Sequence, residues 1–371
     1  MSKKYNSERG SELLKFLDRY LGIPVIFTLG VFRRKRKKPQ LIEKIALLKT
    51  AAIGDTVLLS AVIRDIKERL SNARITFFTG SSNYEIAKII AETFSNVDVI
   101  KLPIKNPLSA ISIIKQYEFD VWLDFGTWPR LNALFSHFAN AKFKVGFKTK
   151  NQYRHYIYDV VVEHSNGIHE VFNYKNILKQ INIEGTNLPR IELGVNIKRN
   201  DKLIVIHMFP GGSKSYLKEW SETYWVQLIN YLTSKGYFVA LTGAKVDRNR
   251  ALHIYNLCNK KNLISVVAGK LSLRDVIFLL KKSSLVVSVD TGIMHLASAL
   301  NCNLVALHGP TSCRRWGPLN KNSIAIQSPL ECSPCLNLGF EYGCDENRCM
   351  KAISVNTVIE AVKNFLKEDS T

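Results

Sequence analysis

The sequence predicts an α/β protein made of two doubly wound domains that face a cleft. Three observations carry this. Short apolar runs alternate with amphipathic stretches over residues 44–147, and the alternation begins again over residues 202–309. Strands alternating with helices imply a parallel sheet covered on both faces. Between the series, residues 150–200 hold a helix near 168–182 and then turn residues without sustained period, which marks a linker. The domains expected are therefore 41–185 and 186–371, preceded by a distinct segment, 1–40.

Taken in order, Leu13, Leu14, Leu17 and Leu21 in segment 1–40 fall at helical spacing, with Lys15, Asp18 and Arg19 facing elsewhere. The stretch Leu21 to Phe32 is apolar, is interrupted by Pro24, and leads into the basic run Arg33 to Lys38. Its 12 residues are too few to cross a bilayer, which takes about 20 as a helix. An amphipathic stretch, an apolar wedge and a basic cluster suit the face of an anionic leaflet. The other reading is a helix docked on the protein with a solvated basic linker. In a signal peptide the basic residues come first, and here they follow.

In the first series, "KIALLK" (44–49) reads as a buried strand, and 56–70 as a helix with Val57, Leu58, Ala61, Val62 and Ile66 on one face. Strands at 74–80, 97–102, 120–126 and 143–147 alternate with helices near 83–93, 108–117 and 130–139. In the second, strands at 202–209, 237–243, 263–269, 284–290 and 303–309 alternate with helices at 222–235, 247–260, 272–282 and 292–300, and a last helix runs near 355–367.

Ligands of open α/β sheets bind beyond the carboxyl ends of the strands, and four motifs lie at such ends. In "KTAAIGDTVLL" Gly54 permits a tight turn and Asp55 stands where a helix starts, either as its cap or as a carboxylate able to take a proton from an acceptor hydroxyl. In "HMFPGGSKSYLKEW" Gly211 and Gly212 let backbone amides approach a ligand, while Lys214 and Lys218 bring positive charge; Trp220 and Trp225 read as core. In "LTGAKVDRNRA" Asp247 is a cap or a ligand for ribose hydroxyls. In "SVDTGIMHLASAL" a strand ends at Asp290 and a helix begins near Gly292; its exposed N–H groups, the Thr291 hydroxyl and His295 suit a diphosphate. Helix capping by Asp290 and a buried structural role for His295 are the plainer readings.

The chain has 371 residues, 46% hydrophobic and 22% charged, an ordinary globular balance, but a net charge of +21. That excess points to an anionic partner. Nucleic acid ranks last, since no zinc-finger or RNA-recognition motif is present. The seven cysteines are an odd number, which argues against a disulfide framework and for a reducing cytoplasm. Cys332, Cys335, Cys344 and Cys349 form C-x2-C-x8-C-x4-C, a spacing open to a structural zinc or to free thiols.

Over residues 44–365 the chain resembles glycosyltransferase family 9, the heptosyltransferases of lipopolysaccharide core assembly. "SVDTGIMHLASALNCNLVALHGPTSCRRWGP" is similar to the family's nucleotide-sugar motif, "IGDTVLLSAVIRDIK" to its N-terminal motif, "PGGSKSYLKEW" to its Gly/Lys loop, and "ECSPCLNLG…CDENRCMKAI" to a tail of some members. The resemblance implies a GT-B fold of two Rossmann-like domains, with the acceptor on the N-terminal one and the donor on the C-terminal one. It implies inverting transfer from a nucleotide-activated sugar, ADP-heptose first, to a lipopolysaccharide-type or lipid-linked acceptor at the cytoplasmic face of the inner membrane, with no cofactor and no catalytic metal. Asp55 matches the base, Lys218 the lysine near the donor phosphates, and Asp290, Thr291, Gly292 and His295 the donor-binding run, while Asp247 stands where the family often has Glu toward ribose. The His that soon follows the Asp in familiar heptosyltransferases is missing from "GDTVLL". A UDP- or GDP-sugar transferase and a catalytically silent membrane-associated scaffold are the competing expectations.

Overall fold

The computed structural model describes residues 12–33, 35–212, 214–336 and 344–366, the side chains of 12–15 excepted. The side chains of Leu13 and Leu14, and Arg34 of the basic run, thus lie outside the described residues. The chain divides into two units, Met1–Pro189 and Arg190–Thr371.

The first unit opens with α1 (Glu12–Tyr20) and α2 (Gly22–Val31). Then follow β1 (Lys44–Lys49), α3 (Ile53–Arg69), β2 (Arg74–Thr79), α4 (Tyr84–Ala91), β3 (Val97–Lys101) and α5 (Pro107–Ile114). It closes with β4 (Glu118–Asp124), α6 (Arg130–Phe138), β5 (Asn140–Lys148), β6 (Val160–Glu163) and α7 (Glu170–Lys179). The sheet order is β3-β2-β1-β4-β5-β6, with every pairing parallel. This is the doubly wound dinucleotide-fold order, whose reversal point lies between the first and fourth strands. β1, at the centre, is buried from Ile45 to Lys49, as an apolar run covered on both faces must be.

The second unit contains β7 (Asn200–His207), α8 (Glu222–Ser234), β8 (Phe238–Thr242), α9 (Arg248–Leu257), β9 (Ile264–Val266) and α10 (Leu273–Lys282). It continues with β10 (Ser283–Val289), α11 (Gly292–Ala299), β11 (Leu304–His308), α12 (Cys313–Trp316), β12 (Ser323–Gln327), α13 (Arg348–Lys351) and α14 (Val355–Lys363). Its order, β12-β11-β10-β7-β8-β9, is again all parallel and repeats the first, with β7 and β10 flanking the reversal point. Its core includes Trp220 and Trp225, packed edge to face at 4.8 Å, and the Trp220 indole N–H donates to the Ile353 carbonyl at 2.8 Å.

Sequence periodicity missed β6 and β12, short strands at the sheet edges that follow irregular stretches. The helix expected over 247–260 begins instead as a 3-10 turn, Lys245–Asp247, and α9 stops at Leu257. The strand expected over 263–269 is paired only at Ile264–Val266. Its tail leaves the sheet as Gly269 takes φ +70°, a left-handed conformation open to glycine at little cost.

Candidate active site

In the first unit Asp55 stands where β1 passes into α3. It is not the cap of that helix: the N-cap is Ala52, at φ 77° and ψ 121°, and Asp55 lies in the first turn. A non-glycine residue in that region costs about 1–3 kcal/mol, and such strain gathers at functional sites. The bend turns Asp55 back toward the strand it follows. Lys49 Nζ donates to Asp55 Oδ1 at 2.7 Å, and the Tyr174 hydroxyl donates to the same oxygen at 2.7 Å. The lysine also donates to Tyr174 Oη at 3.0 Å and to the Phe125 carbonyl at 3.1 Å. Lys49 and Asp55 are both buried, so the pair depends on these close bonds to offset lost hydration. Thr50 Oγ1 donates to Asn132 Oδ1 at 2.9 Å, joining the end of β1 to the first turn of α6.

In the second unit Asp290, Thr291, Gly292 and His295 gather at the end of β10. Thr291, not Asp290, caps α11: its Oγ1 accepts from the N–H groups of Ile293 at 3.1 Å and Met294 at 3.4 Å. Asp290 is buried, and burial alone would raise its pKa. The Lys218, His308 and His295 charges and a hydrogen bond from Thr311 outweigh this and hold the carboxyl below its ordinary range. Lys218 Nζ reaches the Asp290 carbonyl at 3.4 Å. It arrives from the β7 loop, and β7 lies beside β10 with His207 opposite Ser288. The two motifs thus meet at the reversal point of this sheet. Gly211 and Gly212 are exposed, Gly212 has φ +100°, and among the described residues nothing beyond their chain neighbours lies within 4 Å of where a Cβ would sit on either.

Two other expected residues are engaged elsewhere. Lys214 donates to Asp345 at 2.7 Å, which ties the Gly loop to the segment after Cys344. Asp247 accepts from the Ala244 N–H at 2.8 Å and closes its own turn; burial raises its pKa against that bond and Arg250. Among the described residues no three His, Cys, Asp or Glu side chains stand together as metal ligands. Of the four cysteines, Cys332 and Cys344 are exposed, whereas Cys349 is buried beside Gly309, with burial pushing its thiol up to about 11 and the other three cysteines acting on it in the same direction.

The model of glycosyltransferase family 9 (heptosyltransferase) matches residues 108–344, well over half of the chain. The chain belongs to glycosyltransferase family 9. It is an enzyme of the glycosyltransferase class. Lipooligosaccharide heptosyltransferase 2 of Campylobacter jejuni subsp. jejuni serotype O:2 is 25% identical to this family 9 glycosyltransferase over 330 residues, covering 85% of this chain and 96% of its own. Lipopolysaccharide heptosyltransferase 1 of Pseudomonas aeruginosa is 32% identical over 136 residues, 36% of this chain and 37% of its own. Among solved structures, that of E. coli ADP-heptose lps heptosyltransferase II has a TM-score of 0.68 at 19% identity and covers 87% of this chain and 98% of its own. E. coli heptosyltransferase WaaC with ADP gives 0.69 at 18%, covering 86% and 99%. These likenesses establish the shared GT-B fold.

Sequence reasoning missed four groups of this glycosyltransferase that the structure adds: Lys49, Tyr174, His308 and Thr311. Lys49 and His308 each had a signal, a basic group closing an otherwise apolar strand at its carboxyl end. Tyr174 and Thr311 had none.

Proposed function

We propose that this glycosyltransferase moves a heptose from ADP-heptose to a lipopolysaccharide-core acceptor, with inversion at the anomeric carbon and without a catalytic metal. The acceptor is taken to be lipid-linked and met at the cytoplasmic face of the inner membrane. The observation that carries the reading is Lys218 at the end of β10, its Nζ 3.4 Å from the Asp290 carbonyl beside the start of α11, a cation at a helix N-terminus suited to a nucleotide diphosphate. The names of the relatives in the preceding section supply the sugar.

In this reading the acceptor hydroxyl gives its proton to Asp55 as its oxygen bonds to the anomeric carbon. The bond from that carbon to the phosphate oxygen breaks, and its electron pair leaves with ADP. Lys218 takes up the charge growing on the diphosphate. Thr291 Oγ1 already accepts from two N–H groups of α11, so backbone recognition of phosphate there falls to the Gly292 N–H. Gly211 and Gly212 offer further amides. Lys214 and Asp247 join the donor site by exchanging their present partners for phosphate and ribose.

Thermal stabilisation by ADP, UDP, GDP and CMP, without added metal, tests the donor. Selective stabilisation by ADP is expected; selective stabilisation by UDP or GDP replaces the sugar and keeps the mechanism. Asp55→Ala is expected to lower transfer by about 10²–10⁴-fold and to keep the ADP response. Unchanged turnover would remove Asp55 as the base.

A further inference from the structure

The α1–α2 hairpin is fastened on its inner side. The Asp18 carboxylate accepts from the N–H groups of Arg130 at 2.8 Å and Leu131 at 3.1 Å and pairs with the Arg130 guanidinium at 2.9 Å, capping α6. Ile26 is buried with Ala133, Ile157 and Tyr158. A side chain at Gly30 would strike Tyr156, its Cβ lying 2.4 Å from that of the tyrosine, so the missing Cβ is what lets α2 lie this close. Beyond α2, Arg33 pairs with Asp159, and Arg36 reaches Asp159 and the Ala141 carbonyl. Part of the basic run is thus turned inward, a correction to the free cluster expected from sequence.

The outer side is apolar. Leu21, Val25, Val31 and Phe32 are exposed, Leu21 by 62% and Phe32 by 84%, with Tyr20 and Phe27 beside them. The Thr28 hydroxyl on this face is satisfied within the helix by the Pro24 carbonyl at 2.9 Å. Between Arg19 and Lys38 there are seven basic residues and no acidic one. The described residues contain no helix long and apolar enough to cross a membrane, and α2, with 10 residues, is about 15 Å long.

We propose that this outer face is a docking surface for an anionic phospholipid bilayer, with the hairpin lying in the interface. An apolar strip beside excess cations matches acyl chains beneath anionic headgroups. A second copy of the chain matches it less well, because it would bring its own excess of basic residues to the same place. The docking places the site usefully. α6, which Asp18 caps, starts just beyond the carboxyl end of β4, and β4 pairs with β1, whose carboxyl end leads to Asp55. α1 therefore stands at the Asp55 end of the first sheet, where a lipid-linked acceptor would be presented.

The test is co-sedimentation of the full chain with vesicles of phosphatidylcholine alone and of phosphatidylcholine with a quarter phosphatidylglycerol, with no nucleotide or acceptor present. Binding to the anionic vesicles is expected to exceed that to the neutral ones by more than about tenfold, to weaken with added salt, and to fall by about tenfold in L21E/F32E. Both positions are on the surface, and the variant is expected to keep its melting temperature and its transfer to a delipidated acceptor. Equal partitioning onto both vesicles, or unchanged binding by the variant, overturns the proposal. A solution dimer that the variant dissolves also overturns it and makes the strip a self-interface. The proposal rests on the lipid-linked acceptor only for its purpose: absent transfer with normal vesicle binding defeats the reading of donor and acceptor and leaves the docking surface standing.

Discussion

Lys49 and Tyr174 hold the same oxygen of Asp55, each at 2.7 Å, one from the strand before the carboxylate and the other from a helix 119 residues later. A carboxylate clamped in this way has a fixed direction, which is what proton removal from a positioned hydroxyl requires. Lys49→Met is expected to lower transfer by about 100-fold while leaving the ADP response intact. Removing one partner of a buried ion pair also costs about 3–5 kcal/mol of stability, so activity is to be measured at a temperature where circular dichroism shows the variant folded. Lys49→Arg, which keeps the charge, is expected to restore part of the turnover. Full activity in a folded Lys49→Met protein would mean that the lysine does not position the base.

Lys218 Nζ meets the Asp290 carbonyl at 3.4 Å, and its charge is the largest of those that depress the Asp290 carboxyl. Lys218→Met is expected to lower kcat/KM for the donor by about 100-fold. It also has a pH signature. A carboxyl depressed in the folded protein contributes stability above its unfolded pKa and loses it as pH falls through the folded value. Without Lys218 the folded value rises, so the acid loss of this stability moves to higher pH. A titration of melting temperature against pH in both proteins reads this, and superimposable acid limbs would detach Lys218 from Asp290.

Much of this was legible in the sequence, for physical reasons that also explain the gaps. The strand–turn–helix junctions at Asp55 and Asp290 stood out because a buried parallel strand reads as an unbroken apolar run, and a Gly beside a carboxylate interrupts it. What the carboxylates do there was not legible. For both, capping is the plainer of two readings, yet Ala52 and Thr291 take those positions, because which residue is N-cap depends on one backbone turn that spacing does not fix. Lys214 read as a phosphate ligand, but its ammonium meets Asp345, 131 residues on. A contact of that separation exists only once the fold is made.

The Thr291 cap leads to a separate expectation. Thr291→Val keeps the shape of the side chain and removes the acceptor for the Ile293 and Met294 N–H groups. Loss of an N-cap costs about 1 kcal/mol, so the melting temperature is expected to fall by a few degrees. ADP binding is expected to weaken as well, because the start of α11 is then no longer held in shape. A lowered melting temperature with an unaltered ADP dissociation constant would confine Thr291 to a structural role.

His207 and His308 are buried in the second unit, and burial lowers both from 6.5 to about 4. The His207 ring meets Thr242 Oγ1 at 2.9 Å. Between these pH values the unfolded chain binds a proton at each histidine and the folded one does not, so stability falls as pH drops from 6.5 toward about 4. At about pH 5 the loss is about 2 kcal/mol for each histidine. His207→Asn is expected to flatten the dependence of melting temperature on pH in that window. An equally steep variant would show that other groups carry the slope.

Asp18 offers the sharpest structural test, because one carboxylate carries two backbone caps and an ion pair with Arg130. Its replacement by Ala leaves the Arg130 guanidinium, which is buried and also bonded to the Gln152 carbonyl at 3.0 Å, without its counter-ion. The expected cost is about 2–3 kcal/mol. The damage should be local, since the core of the first sheet lies in other residues, Ala46, Leu48, Phe78 and Trp122 among them. Limited trypsin digestion is therefore expected to cut Asp18→Ala within residues 19–38 several-fold faster than the wild type, while the rest of the chain stays resistant. Asp18→Glu, which keeps the charge one methylene further out, is expected to fall between the two. Equal cleavage rates in all three proteins would mean that Ile26 and the Arg33–Asp159 pair hold the hairpin without Asp18.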